Sequence, residues 1–331
     1  MLPCSFPMAP STALVLVPQP ASSALTTAAT RAGGYFRAAQ AENTRRAYAS
    51  DWKHFSAWCR TAGQGSLPAA PESLVLYLST LAETAKVSTL TRRISAISQA
   101  HQAAGFETPT AHLAVRKLMA GIRRQKGTAQ IGKRPLATAD VRRLLAPLDT
   151  QRMLDVRDRA LLLTGFAGAF RRSELVGVDV SDLEFNNAGL IVNIRRSKTD
   201  QEGQGRRVGL PYGSTPATCP VRALEAWLAV LGADDGPLFR GINRHGQLGA
   251  RRLTAQSVAL IIKRLAAAAG MEARDLAGHS LRAGLATAAA AAGVSERAIM
   301  AQTGHRSLAT LRKYIREGSL FLENAAAKVG L

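Results

Sequence analysis

The chain has 331 residues, 47% of them hydrophobic and 20% charged, a length and balance that suit two compact domains and exclude disorder throughout. Lys and Arg number 43 against 23 Asp and Glu, a formal charge of +20, so the expected partner is a polyanion, with nucleic acid first. No apolar run approaches the ~18 residues of a spanning helix, and Cys4, Cys59 and Cys219 are too few and scattered for a disulfide framework or a four-cysteine zinc site, so a soluble protein of the reducing cytoplasm, associated with the nucleoid and not with a membrane, is expected.

Residues 1–34 are rich in Ala, Ser, Thr and Pro and read as a flexible leader. The apolar run Ala13 to Val17 lacks a basic segment before it and makes a poor secretory signal. From about Asn43, Tyr48, Trp52, Phe55 and Cys59 fall on one helical stripe, with Arg45 and Arg46 off it. Pro71 suits the first turn of a second helix carrying Leu74, Tyr77, Leu78 and Leu81. Ser88 is placed to cap a third, with Leu90, Ile94 and Ile97 inward and Arg92 and Arg93 outward. A fourth follows Pro109, with Val115, Leu118, Met119 and Ile122 inward and Arg123, Arg124 and Lys126 outward. Residues 35–126 therefore read as a helical bundle. Its basic residues, joined by Lys133 and Arg134, are the candidate DNA contacts, although any one of them alone reads as part of a solvated face.

Residues 127–135, small and basic, read as the linker to a second domain at 136–331. There Thr138 is placed to cap a helix with Val141, Leu144 and Leu145, and an apolar helix runs from about Asp155 to Phe166. The segment Phe170-Arg171-Arg172-Ser173-Glu174-Leu175 sets an arginine pair directly after that apolar stretch. Leu183 to Phe185, an Asn/Gly turn and Leu190 to Ile194 predict a β-hairpin, and Arg207 to Leu210 a third strand. Lys198 falls in the loop before that strand, where taken alone it reads as an exposed loop lysine. Helices follow from Pro220 (Leu224, Trp227, Leu228) and Thr254 (Val258, Ile261, Ile262), then an alanine-rich one from about Leu281. The expected class is mainly α, with one small three-stranded antiparallel sheet in the second domain.

Near the C-terminus, His279 and Arg282 stand three apart at a helix start marked by Gly278 and Ser280, an arrangement suited to an anion. His305 precedes a Leu308, Leu311, Ile315 pattern able to bring Tyr314 to the same place. No phosphate-binding Gly-x-x-x-x-Gly-Lys-Ser/Thr loop, His-Glu-x-x-His or paired carboxylate cluster is present, so chemistry without metal or ATP is expected. Guanidinium groups, imidazoles, a lysine and a phenol together suit phosphodiester transfer. The phenol needs help to ionise, and a lysine or a histidine would protonate the leaving hydroxyl.

In this order, Arg171, Lys198, His279-Ser280-Leu281-Arg282, Gly304-His305 and Tyr314 resemble the signature of the tyrosine recombinase (phage integrase) family. The likeness covers the second domain from about Leu136, extends more loosely to the helical bundle, and is nearest to compact two-domain members such as the Cre and Xer recombinases. The resemblance implies a SAM-like core-binding domain followed by a catalytic domain. It implies that Arg171 and Arg282 clamp the scissile phosphate, Lys198 is the general acid, His279 assists proton transfer, and His305 stabilises the transition state and positions the nucleophile. Tyr314 would form a 3′-phosphotyrosyl link, and Glu174 would support the site. It further implies no cofactor, inverted-repeat DNA sites, four protomers on two duplexes exchanging strands through a Holliday junction, and a C-terminal segment, Leu320 to Val329, docked on a neighbour. A type IB topoisomerase and a catalytically decayed DNA-binding regulator are the alternatives. Two departures stand out: His305 where Cre-like members carry tryptophan, and Arg172 where an apolar or small residue is usual.

Overall fold

The computed structural model describes residues 23–129, 132–197, 200 and 202–318, and divides into two units, Met1–Ile131 and Gly132–Leu331. Among the described residues no helix is long and apolar enough to cross a membrane.

The first unit is helical: α1 (Ser23–Ala38), α2 (Glu42–Thr61), α3 (Pro71–Ala82), α4 (Val87–Ala103) and α5 (Leu113–Lys126). The stripe residues Trp52, Phe55 and Cys59 meet Leu74, Tyr77, Leu78, Leu90, Ile97, Val115, Met119 and Ile122 in one core. Inside it His101 is locked as one tautomer: Nε2 accepts the Ala69 N–H at 2.9 Å, so Nδ1 carries the proton given to the Ile97 carbonyl, also at 2.9 Å.

Four expectations need correction here. Residues 23–34, read as part of a flexible leader, lie in helix α1. Ser88 does not cap α4, which begins at Val87 after Lys86 with no side-chain cap. A short 3-10 turn, Pro109–Ala111, precedes α5, whose first turn is met by the His112 ring accepting the Ala114 N–H. The outward reading of Arg92 and Arg93 fails in part. Asp51, buried beside Trp52, takes two hydrogen bonds from Arg92 at 2.7 and 3.0 Å, and Arg93 turns inward to Tyr77 Oη and His54 Nδ1, both at 2.6 Å. A buried carboxylate must be paired, and its partners came from a helix some forty residues away.

The second unit comprises α6 (Thr138–Leu145), α7 (Met153–Ala167), α8 (Arg172–Gly177), the sheet β1 (Leu183–Asn186), β2 (Gly189–Ile194) and β3 (Arg206–Pro211), and α9 (Pro220–Leu231). It continues through a hairpin of β4 (Arg240–Ile242) and β5 (Leu248–Arg252), then α10 (Ala255–Ala268), α11 (His279–Ala291), α12 (Glu296–Thr303) and α13 (Leu308–Gly318). The sheet is antiparallel in the order β1-β2-β3, with Leu183 opposite Val192 and Ile194 opposite Arg206. Its turn is fixed by the Asn186 side-chain Oδ1, which accepts the N–H groups of Ala188 and Gly189. Leu190, Val192, Ile194, Val208 and Leu210 put one face of the sheet into a core shared with α7, α9 and α10.

Thr138 is the first residue of α6 and not its cap. The Asp140 carboxylate accepts the Ala137 N–H at 3.0 Å and so serves the helix start instead. The hairpin β4–β5 and the helix α12 were not expected. Lys133 and Arg134, within the expected linker, are tied into this unit through the Arg274 carbonyl and the Asp140 carboxylate. Lys198 and the segment Leu320 to Val329 lie outside the described residues.

Candidate active site

Helix α11 opens directly at His279, so His279 and Arg282 occupy its first turn on one face. Gly278 just before it leaves room for Arg172, since a Cβ there would meet the aliphatic stem of that side chain at 2.1 Å and push it aside. That contact places the two arginines of the pair: Arg172 lies across the start of α11, while Arg171 turns its guanidinium to Glu174. Both arginines lie near His279, and of the two Arg171 is the one bound to the buried Glu174.

Arg282 is only 1% exposed. Its Nη1 donates to the Ala169 carbonyl at 2.9 Å, and its Nη2 is buried with no partner in the protein. Ala169 presents that carbonyl with φ of 47°, a left-handed conformation unusual for a residue with a Cβ. Burial, then the charge of Arg171, lower the Arg282 pKa to about 10, which leaves it charged at neutral pH.

Alanines make the next placement. Ala286 and Ala290 of α11 let α13 approach closely, and they pack with Ile299, Leu311, Leu308, Tyr314 and Ile315. Tyr314 thereby returns to the start of α11, where its Oη lies 2.7 Å from His279 Nε2. His279 keeps contact with solvent, yet desolvation first and then Arg282, Arg172 and Arg171 hold its pKa below the usual histidine value. The neutral ring has an acceptor nitrogen to offer the phenol.

His305 stacks at 5.9 Å from the Tyr314 ring, tilted by 31°. Thr303, fully buried, gives its hydroxyl proton to the Ile299 carbonyl at 2.7 Å, so its oxygen accepts from His305 Nδ1 at 2.8 Å. The proton of the neutral ring thus sits on Nδ1. Burial, Arg282, Arg171, His279 and Arg206 together bring its pKa down to about 4.

Glu174 is 2% exposed and binds Arg171 twice, through the backbone N–H at 2.9 Å and through the guanidinium. Burial raises its pKa, but these bonds and Arg206 outweigh that effect, and the net shift is downward. Arg206, at the start of β3, donates to Glu174 Oε2 at 3.2 Å and was not foreseen as a member of the cluster.

The structure thus brings Arg171, Glu174, His279, Arg282, His305 and Tyr314 together. Of the basic residues considered for DNA, Arg45, Arg46, Arg123 and Arg124 are exposed, whereas Lys126 binds the carbonyls of Ala82 and Ala85 at the end of α3.

Residues 134–319 match the phage integrase family, and residues 35–107 match its N-terminal SAM-like domain. The chain belongs to the phage integrase family of tyrosine recombinases. An integrase/recombinase xerD homolog from Selenomonas ruminantium is 43% identical over 289 residues, 86% of this chain and 85% of the relative. Tyrosine recombinase XerD of Yersinia pestis is 29% identical over 284 residues, 83% of this chain and 86% of that protein. Among solved structures, XerH site-specific recombinase in a post-cleavage complex with palindromic difH substrate aligns with a TM-score of 0.58 at 18% identity, covering 78% of this chain and 72% of the other. The Tn1549 transposon integrase with circular intermediate DNA gives a TM-score of 0.52 at 16% identity, covering 74% and 80%. At these identities the structural likeness speaks for the fold shared across this recombinase family, a SAM-like helical domain followed by the catalytic domain.

Proposed function

We propose that this tyrosine recombinase cleaves and rejoins double-stranded DNA at specific sites through a covalent 3′-phosphotyrosyl intermediate. The observation that carries the reading is the 2.7 Å contact between Tyr314 Oη and His279 Nε2, one helical turn from a buried guanidinium with an unpartnered Nη2. A buried donor of that kind is costly unless an anion completes it, and a phosphodiester oxygen is such an anion.

In the proposed reaction Tyr314 Oη attacks the phosphorus as His279 Nε2 takes the phenol proton. The bond to the 5′-oxygen breaks, and Lys198 supplies the proton that the departing 5′-hydroxyl needs. Arg171 and Arg282 hold the non-bridging oxygens, where charge grows in the transition state. Burial first, and then the arginine field, keep His305 neutral; the phosphodiester charge offsets the arginine part, which favours a protonated His305 able to donate from Nε2 while Nδ1 stays on Thr303. Attack by a second 5′-hydroxyl on the phosphotyrosine reverses the step. The linkage energy is kept in the covalent bond, so the transfer itself needs no nucleotide or metal. Exposed Arg45, Arg46, Arg123 and Arg124 would add sequence-independent phosphate contacts. Inverted-repeat sites, a tetramer on two duplexes, exchange through a Holliday junction and docking of Leu320 to Val329 on a neighbour complete the proposal.

The test uses a pool of nicked duplexes randomised over two half-sites of about one helical turn each, selected for SDS-resistant attachment to the protein. Recovered duplexes should form an adduct with the wild-type chain without added metal. Tyr314→Phe should bind them and form none; an undiminished adduct in that variant rules out Tyr314 as the nucleophile.

A further inference from the structure

Arg206 meets more of the active site than any role in strand pairing requires. It begins β3, eight residues after Lys198 in the sequence. Its Nη2 donates to Glu174 Oε2 at 3.2 Å, on the carboxylate that also holds Arg171. Its Nη1 donates at 3.1 Å to the carbonyl of Gln302, three residues before His305. Its guanidinium carbon lies 5.9 Å from the centre of the Phe170 ring, next to the residue whose carbonyl holds Arg282.

The backbone is shaped around it as well. Gly304 turns the chain out of α12 with φ of 66°, and a Cβ there would sit 3.0 Å from Arg206 Nε and 3.1 Å from Cζ. A glycine at this point satisfies the left-handed turn and leaves room for the guanidinium immediately before His305. The side chain of Arg206 is 20% exposed, and its Nε is buried without a partner. Both terminal nitrogens already donate to protein oxygens on two different elements, which suits a group that holds other residues in place.

We propose that Arg206 is a positioning residue of the recombinase site, tying the Arg171–Glu174 pair to the turn that presents His305 and to the strand that follows Lys198. The proposal rests on the recombinase reading above. Removing this tie leaves the DNA-binding surface intact but lets Arg171 and His305 drift from the distances that transition-state stabilisation needs.

The experiment measures covalent attachment to the selected nicked duplex across pH for wild type, Arg206→Gln and Arg206→Lys, alongside DNA affinity and thermal midpoints. His305 is faced by Arg282 and His279 from α11, Arg171 at the start of α8, Arg206 from β3, Tyr314 from α13 and Thr303 from α12. Of these, the variants alter only Arg206. Arg206→Gln should slow cleavage about 10- to 100-fold, the range found when partners of site residues are removed, with affinity within about threefold. Its pH–rate limb tied to His305 should move to higher pH, because one cation facing the ring is gone. Arg206→Lys keeps a charge but not the fork, so its limb should stay near that of wild type while its rate falls.

A cleavage rate for Arg206→Lys within about twofold of wild type overturns the proposal, and this reading does not depend on whether Arg206→Gln folds. A loss in Arg206→Gln that follows its thermal midpoint, with an unmoved pH limb, overturns it equally, since that is how a merely structural residue behaves. No adduct in the wild-type chain would instead sink the recombinase reading itself.

Discussion

Replacing Arg282 by methionine separates what this residue does for the fold from what it does for chemistry. Keeping the guanidinium charged in its buried place lowers its pKa from 12.5 to about 10, which at about 1.4 kcal/mol per tenfold is a cost of roughly 3 kcal/mol. Against that stands the bond to the Ala169 carbonyl at 2.9 Å, roughly 1.5–3 kcal/mol for a charged donor. The two nearly cancel, and an apolar side chain of similar length fills the space. Arg282→Met should therefore unfold in urea within about 2 kcal/mol of wild type. Cleavage should behave otherwise: losing a preorganised charged donor at a phosphate costs on the order of 10²–10³ in rate. DNA affinity should barely change, because one contact among many phosphate contacts is lost. Adduct formation within tenfold of wild type would refute the clamp, and a stability loss above about 4 kcal/mol would refute the claim that Arg282 is kept for chemistry.

Lys198→Ala should slow adduct formation by about 10²–10⁴-fold, and a duplex with a bridging 5′-sulfur at the cleavage point should restore it, because a thiolate leaves without a proton. Failure of that substrate to restore the rate would remove Lys198 as the general acid. A second expectation concerns pH. His101, His279 and His305 all have pKa values lowered chiefly by burial, so the folded chain favours neutral rings. As pH falls below about 6.5 the unfolded chain takes up protons that the folded one resists, and stability is lost progressively toward pH 4, near the His305 value of about 4. Glu174, whose pKa is lowered, gives up its contribution only below its usual range. Urea midpoints should fall between pH 7 and pH 5, and fall less in His305→Asn; an equal fall in both would exclude His305 as a source.

Much of this was legible in the sequence because it rests on periodic patterns. The Trp52, Phe55, Cys59 stripe, the hairpin around Asn186 and the Leu308, Leu311, Ile315 face of α13 announce themselves through burial that repeats at fixed spacing. What escaped notice has other causes. Helix α12 is eight residues long with two buried positions, too few for a period to emerge. Strands β4 and β5 have no buried residue and are rich in Gly and Arg, so no alternation marks them. Asp140 displaced Thr138 because a carboxylate three residues on reaches back to the helix start as well as a hydroxyl does. Arg206 stood just outside the expected strand Arg207 to Leu210, with nothing local to mark it. Its partners, Glu174 and the Gln302 carbonyl, are 32 and 96 residues away, and no local pattern reports such a meeting. Asp51, the partner of Arg92 from 41 residues earlier, was missed for the same reason.

The hydrogen bond between Tyr314 and His279 has a genetic consequence. Both residues come from one chain, through the alanine face of α11 on which α13 rests. Under the proposed chemistry the nucleophile, the histidine that takes its proton and Arg282 belong to the same subunit. A cell carrying one allele without the tyrosine and another without Arg282 would therefore gain nothing from the mixture, since no mixed assembly regains a complete centre. An allele lacking only the tyrosine, still able to occupy DNA, would instead poison the wild-type subunits beside it.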